Sequence, residues 1–179
     1  VEKTLIDTID QDVEKIITDN KEVSKYVEKF LKDTGLETKV KLEIKQDVLN
    51  IYDIKEQIEK ANNRKIWLKC GGFITIDKTE ALTAIDVNSG KYIGSKDLDQ
   101  TIYTVNKEAT IEIAKQLRLR DIGGIIIIDY IDMENQETKQ KILKVLEESV
   151  KKDRSKIQIV GFTPLDLLEM TRKHICSND

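Results

Sequence analysis

Four consecutive isoleucines, Ile125 to Ile128, framed by Gly123-Gly124 and Asp129, constrain this chain more than any other feature. So short a run of β-branched residues between turn residues reads as a strand, because branched side chains pack well on a pleated surface. The strand ends in a carboxylate. A second β-rich run, Thr83-Ala84-Ile85, leads into Asp86 and Asn88. In an extended chain residues i and i+2 project on one face, so Asp86 and Asn88 stand side by side just before the turn at Gly90. If the two strands are neighbours, Asp86 and Asp129 converge at one edge of a sheet, and that convergence reads as a divalent-metal site.

The remaining pattern alternates helices and strands. Residues 1–12 resemble the tail of a helix, 13–18 a short strand, and 39–44 a half-buried strand with alternating polarity. Between those strands, Lys21–Asp33 places Val23, Tyr26, Val27, Phe30 and Leu31 at helical spacing, and Gly35 stops it. Residues 47–52 read as a connector and 54–62 as a helix. Asn62-Asn63-Arg64 marks a domain boundary, giving an expected division into 1–62 and 63–179. Beyond it, strands at 65–69 and 72–76 precede a polar turn and a returning strand at 81–87. This hairpin delivers Asp86 and Asn88. The longest helical pattern, Leu98–Leu119, has Asp97 placed to cap it. After the isoleucine strand come a helix at 136–152, a strand at Ile157–Phe162 and, opened by Pro164, a last helix at 165–173. The second part is therefore α/β.

Composition excludes several classes. At 179 residues, 35% charged and 39% hydrophobic with one proline, the chain has the profile of a soluble α/β protein long enough to bury a core. No run reaches the length of a membrane span. Cys70 and Cys176 lie too far apart to pair as metal ligands, and point to a reducing, cytoplasmic setting. A start at Val1 without an initiator Met suggests an excised fragment. The net charge of −3 is not that of a bulk nucleic-acid binder. Residues 1–62 hold 11 basic and 15 acidic side chains, so the second part is slightly basic, with seven Lys or Arg against three acids in 139–156. That stretch reads as a solvated helix face.

Stock catalytic motifs are missing. No GxxxxGK[ST] loop accompanies the hydrophobic strand that ends in Asp, and no GxGxxG occurs. His174 is the only histidine, which leaves no material for a His-dependent triad or zinc cluster within the chain. What remains is Asp86, Asn88 and Asp129. Hard oxygen ligands of this kind suit magnesium, which takes one or two carboxylates and keeps several waters. The competing structural reading is that Asp129 caps a strand and Asp86 serves a turn.

The stretch from Gly71-Gly72-Phe73-Ile74-Thr75-Ile76-Asp77 through Ile85-Asp86-Val87-Asn88-Ser89-Gly90-Lys91 resembles the catalytic core of the ribonuclease E / ribonuclease G family. So do Glu112-Ile113-Ala114-Lys115-Gln116-Leu117-Arg118-Leu119-Arg120-Asp121-Ile122-Gly123-Gly124 with the strand up to Asp129-Tyr130-Ile131-Asp132-Met133, and Leu168-Glu169-Met170-Thr171-Arg172-Lys173. The resemblance implies a DNase I-like catalytic subdomain, a mixed sheet with flanking helices. Before it would stand a partial RNase H-like β-α-β portion in 1–62. It implies endonucleolytic cleavage of single-stranded RNA to 5′-phosphate and 3′-hydroxyl ends. The family's magnesium ligands fall on Asp86 and Asp129, and its supporting carboxamide on Asn88. Lys91, Arg118 and Arg120 are candidate phosphate contacts, although Arg118 and Arg120 would also suit the helix dipole in a last turn. Asp132 reads as a helix-start residue.

The family's RNA-binding barrel and 5′-monophosphate sensor have no counterpart in this sequence. Its subunits assemble through a zinc shared by a CPxC-type motif, which the ending Cys176-Ser177-Asn178-Asp179 does not supply. An RNA-processing scaffold or RNA-binding module of the same fold, without activity, is the alternative reading. A DNA-directed phosphodiesterase is a second one.

Overall fold

The computed structural model describes residues 1–9, 12–90 and 98–175. The chain divides into two compact units, Val1–Glu59 and Lys60–Asp179. The first contains α1 (Glu2–Thr8), β1 (Lys15–Thr18), α2 (Lys21–Asp33), β2 (Lys41–Ile44) and α3 (Val48–Ile51), and α4 (Ile54–Ala61) runs across the boundary. β1 and β2 pair in parallel, from Lys15 opposite Lys41 to Thr18 opposite Ile44, with α2 as the connection. Asn20 starts α2 by accepting hydrogen bonds at Oδ1 from the amides of Glu22 (2.8 Å) and Val23 (3.1 Å). At the other end Gly35 takes φ +69°, and the amide of Leu36 reaches back to the Leu31 carbonyl at 2.9 Å. This closure satisfies carbonyls the helix would otherwise strand. Val27 and Leu31 of α2 pack with Leu5 and Val40 in a small core. The connector expected at 47–52 contains one helical turn, α3.

The second unit is built on a six-stranded sheet of β3 (Lys65–Trp67), β4 (Phe73–Lys78), β5 (Leu82–Asn88), β6 (Gly124–Asp129), β7 (Ile157–Phe162) and β8 (Leu167–Arg172), in the order β3-β4-β5-β6-β8-β7. Only β5 and β6 are parallel, and α5 (Leu98–Leu119) makes the crossover that parallel neighbours require. Between β6 and β7 runs α6 (Gln136–Val150), started by Asn135. The core lies on one face of the sheet. Ile74, Ile85, Ile126, Ile128, Leu168 and Met170 meet Val105, Ala109, Ile113 and Leu117 of α5 and Ile142 and Leu146 of α6. No helix among the described residues is long and apolar enough to cross a membrane.

One expected element is overturned. The helix predicted at 165–173 is a strand, β8, inserted between β6 and β7. Pro164 opens a turn instead, with the Asp166 amide bonded to the Thr163 carbonyl at 2.9 Å. Thr163 Oγ1 accepts from the amides of Leu165 and Leu167, both at 3.2 Å, and Asp166 takes φ +62°. From there Leu168, Met170 and Arg172 alternate inward with period two. The capping role expected of Asp97 falls outside the described residues.

Candidate active site

The two strands that carry the candidate residues are neighbours, and in register. Asp86 is the direct partner of Asp129 across the parallel β5–β6 pair. Ile85 and Val87 on β5, and Ile126 and Ile128 on β6, point into the helix-covered core. Alternation therefore sends Asp86, Asn88 and Asp129 to the opposite face. Two rows of partners cross that face. One reads Lys65, Thr75, Asp86, Asp129 and Leu167, and the next reads Trp67, Phe73 and Asn88. Asn88 Nδ2 donates to Asp86 Oδ2 at 2.6 Å, fixing the carboxylate's orientation from two residues along the strand.

Asp129 holds its proton above the ordinary carboxylate range, chiefly because burial disfavours the charged form, and further because Asp86 and Asp132 place negative charge nearby. Asp132 thus acts on the site. The helix-start role expected for it belongs to Asn135, whose Oδ1 accepts from the Glu137 amide at 2.8 Å. A carboxyl whose pKa is raised by folding favours the folded state only while protonated, so its cost appears as pH rises through that value. Asp77 behaves oppositely. Arg64 binds it at 2.5 and 2.6 Å and holds its pKa below the usual value, so its contribution is lost on acidification. We expect Asp129→Asn to be more heat-stable than the unaltered chain at neutral pH without added metal. The gain should be about 0.5 kcal/mol, the scale of a cross-strand like-charge pair, and should vanish below about pH 4. Thermal unfolding across pH measures both.

Helix α5 fixes the loops that flank the carboxylates. Asn106, fully buried, donates through Nδ2 to the Ile131 carbonyl (2.8 Å) and accepts from the Ile131 amide (3.1 Å), clamping the backbone of the residue two positions beyond Asp129. One turn on, Thr110 Oγ1 lies 2.9 Å from the buried Tyr130 hydroxyl. Glu108 accepts from the amides of Lys69 and Cys70, holding the turn between β3 and β4. Sequence reasoning missed Asn106 and Thr110. Their signal was a polar i,i+4 pair beside the apolar stripe of a helix. Asn106→Ala leaves the amide and the carbonyl of the half-buried Ile131 without these partners, and should cost about 1–3 kcal/mol in denaturant unfolding.

The structure does not bring every candidate to the carboxylates. Arg118 is exposed and Arg120 half-buried at the C-terminal end of α5, which leads through Asp121 to Gly124, the first residue of β6, whereas Asp129 is the last. Along the strand that separation is about 16 Å. The Arg120 guanidinium donates to Gln116 Oε1 and to the Asn63 carbonyl, both at 2.8 Å, and so ties α5 to the start of β3. Lys91 lies outside the described residues. A cation not foreseen stands closer: Arg64, paired with Asp77, feels the negative charge of Asp86.

Two carboxylates in register, one oriented by a carboxamide and the other held above its usual pKa beside like charge, form the hard-oxygen set that a magnesium ion with retained waters accepts. Among the described residues no group of three or more His, Cys, Asp or Glu is assembled for a metal.

Against known proteins, residues 1–175 match the Ribonuclease E/G family. The chain is 41% identical over 175 residues to Ribonuclease G of Escherichia coli strain K12, covering 96% of the chain and 36% of that protein. It is 51% identical over 128 residues to Ribonuclease G of Salmonella typhimurium strain SL1344, covering 72% of the chain and 26% of that protein. To Ribonuclease E of E. coli K12 it is 40% identical over 173 residues, 94% of the chain and 16% of that protein. It therefore spans well under half the length of these relatives. With a match over nearly its whole length, the chain belongs to the Ribonuclease E/G family.

Proposed function

We propose that this chain carries the catalytic part of an endoribonuclease that cleaves single-stranded RNA, with magnesium held by Asp86 and Asp129. The observation that carries the reading is the direct pairing of the two aspartates across β5 and β6, on the face away from the helices. On this reading the Lys60–Asp179 unit is a DNase I-like catalytic subdomain, the β1–α2–β2 portion belongs to an RNase H-like one, and the chain is a fragment of a longer enzyme working in a reducing cytoplasm.

When bound, the ion polarises a phosphoryl oxygen and favours attack by water. The protein's own part is to hold that reaction in place. Asp86 and Asp129 concentrate negative charge at one point of a rigid sheet, and Asn88 keeps Asp86 from rotating. Asn106 and Thr110 fix the loop after Asp129. Water adds to phosphorus, the bond to the 3′-oxygen breaks, and that oxygen takes a proton, leaving 5′-phosphate and 3′-hydroxyl ends.

Cleavage of a short AU-rich single-stranded RNA with magnesium, compared with Asp86→Asn and with DNA of the same sequence, tests the reading. We expect RNA cleavage by the unaltered chain, lost in the variant, and no cut in DNA. Equal turnover by both proteins would defeat it, and RNA binding without cleavage would favour an inactive module of the same fold.

A further inference from the structure

Beside the carboxylates, the same face of the sheet presents two aromatic rings with a cation against them. Trp67 on β3 and Phe73 on β4 are direct partners, their ring centroids 5.3 Å apart at an interplanar angle of 60°. Trp67 is 62% exposed, an unusual place for the chain's one tryptophan. Phe73 is in turn the partner of Asn88, which bonds Asp86. The aromatic row therefore lies one step along the strands from the row holding Asp86 and Asp129. Lys65, itself in the carboxylate row, extends its Nζ to 4.1 Å from the Trp67 ring centre and 3.6 Å from that of Phe73.

We infer that Trp67 and Phe73 form a stacking subsite for a nucleobase adjacent to the cleaved bond, with Lys65 contacting its phosphate. The inference rests on the proposed cleavage at Asp86 and Asp129, and adds a substrate subsite to it. Three physical facts point to this occupant. The exposed ring of Trp67, backed edge-to-face by the half-buried Phe73, suits any base, since every base offers a π-face. The lysine supplies a mobile point charge that can leave the rings for a phosphate. The register makes the shelf continuous with the candidate site, so one strand of RNA can touch both. A base inside a duplex has its faces already stacked, so the subsite selects single strands.

The lone tryptophan makes the test direct. In EDTA, where cleavage is suppressed, a short AU-rich single-stranded RNA is titrated into the chain, reading Trp67 fluorescence and, in parallel, the anisotropy of labelled RNA. We expect quenching that tracks binding, about tenfold weaker binding for Phe73→Ala, Lys65→Ala and Trp67→Leu, and no quenching by the same sequence as a duplex. Asp86→Asn should keep the quenching while losing magnesium-dependent cleavage, so failure of the metal reading and failure of the subsite are told apart. RNA binding with unchanged Trp67 fluorescence, no RNA binding at all, or undiminished binding by Trp67→Leu would overturn the subsite. Self-association abolished by Trp67→Leu, with RNA binding unaffected, would assign the shelf to a second copy of the chain instead.

Discussion

Asp129→Asn should reduce magnesium-dependent RNA cleavage by about a thousandfold, the equivalent of roughly 4 kcal/mol in the barrier, while leaving the fold intact. The substitution keeps the size and shape of the side chain but removes the negative charge that attracts a hard cation, replacing one acceptor oxygen with an amide donor. It acts on the last residue of β6, which is not part of the hydrophobic core. The loss should appear in steady-state cleavage at saturating magnesium, and circular dichroism should show an unchanged fold. A variant that is inactive yet slightly more heat-stable without metal is the signature of a site that accepts electrostatic strain for binding. A protein that lost activity by unfolding would show the opposite. Because protons compete with the ion, magnesium affinity should also begin to fall at a higher pH than for an ordinary carboxylate, in the direction set by the raised pKa of Asp129.

The second large effect lies far from the carboxylates. Arg172, the last residue of β8, is 2% exposed and bonds Asp153 Oδ2 through Nε (2.8 Å), Asp121 Oδ1 through Nη1 (2.8 Å) and the Ile122 carbonyl through Nη1 (2.9 Å). Asp153 is almost as deeply buried. Arg172→Met keeps much of the volume but leaves the Asp153 carboxylate buried without its cation. We expect a loss of about 3–5 kcal/mol, read as a fall of roughly 10 °C in the unfolding temperature. Adding Asp153→Asn and Asp121→Asn should recover much of it, since the cost comes from the uncompensated charges and not from the missing pair. Arg172→Lys should not rescue fully, because one ammonium cannot reach both carboxylates as the planar guanidinium does.

Much of this architecture was legible before any coordinates. The bounds of α2 and α5 follow from apolar spacing, and in α2 also from the Gly that stops it. The β4–β5 hairpin and the isoleucine strand follow from alternation and β-branching, and their pairing puts Asp86 opposite Asp129. What escaped depends on distant partners. β8 looked helical because Leu167-Leu168 and Met170 fit either period, and Pro164 begins turns as readily as helices. Only the place between β6 and β7 decides for a strand. The polar spacing marked Asn106 but not its role, because its partner, Ile131, lies 25 residues away. The remoteness of Arg118 and Arg120 could have been read, since both precede the first residue of a strand whose last residue is Asp129. The aromatic shelf needed the register, because Trp67 and Phe73 become neighbours only when β3 folds back on β4.

The most direct measurement is anomalous diffraction from crystals of this chain soaked in Mn2+, a stand-in for magnesium with the same preference for oxygen. One ion shared by the two aspartates requires a peak about 2.1–2.3 Å from a carboxylate oxygen of Asp86 and of Asp129 alike, absent in Asp86→Asn crystals. A peak that touches only one of them, or no peak on that face at saturating metal, would contradict it.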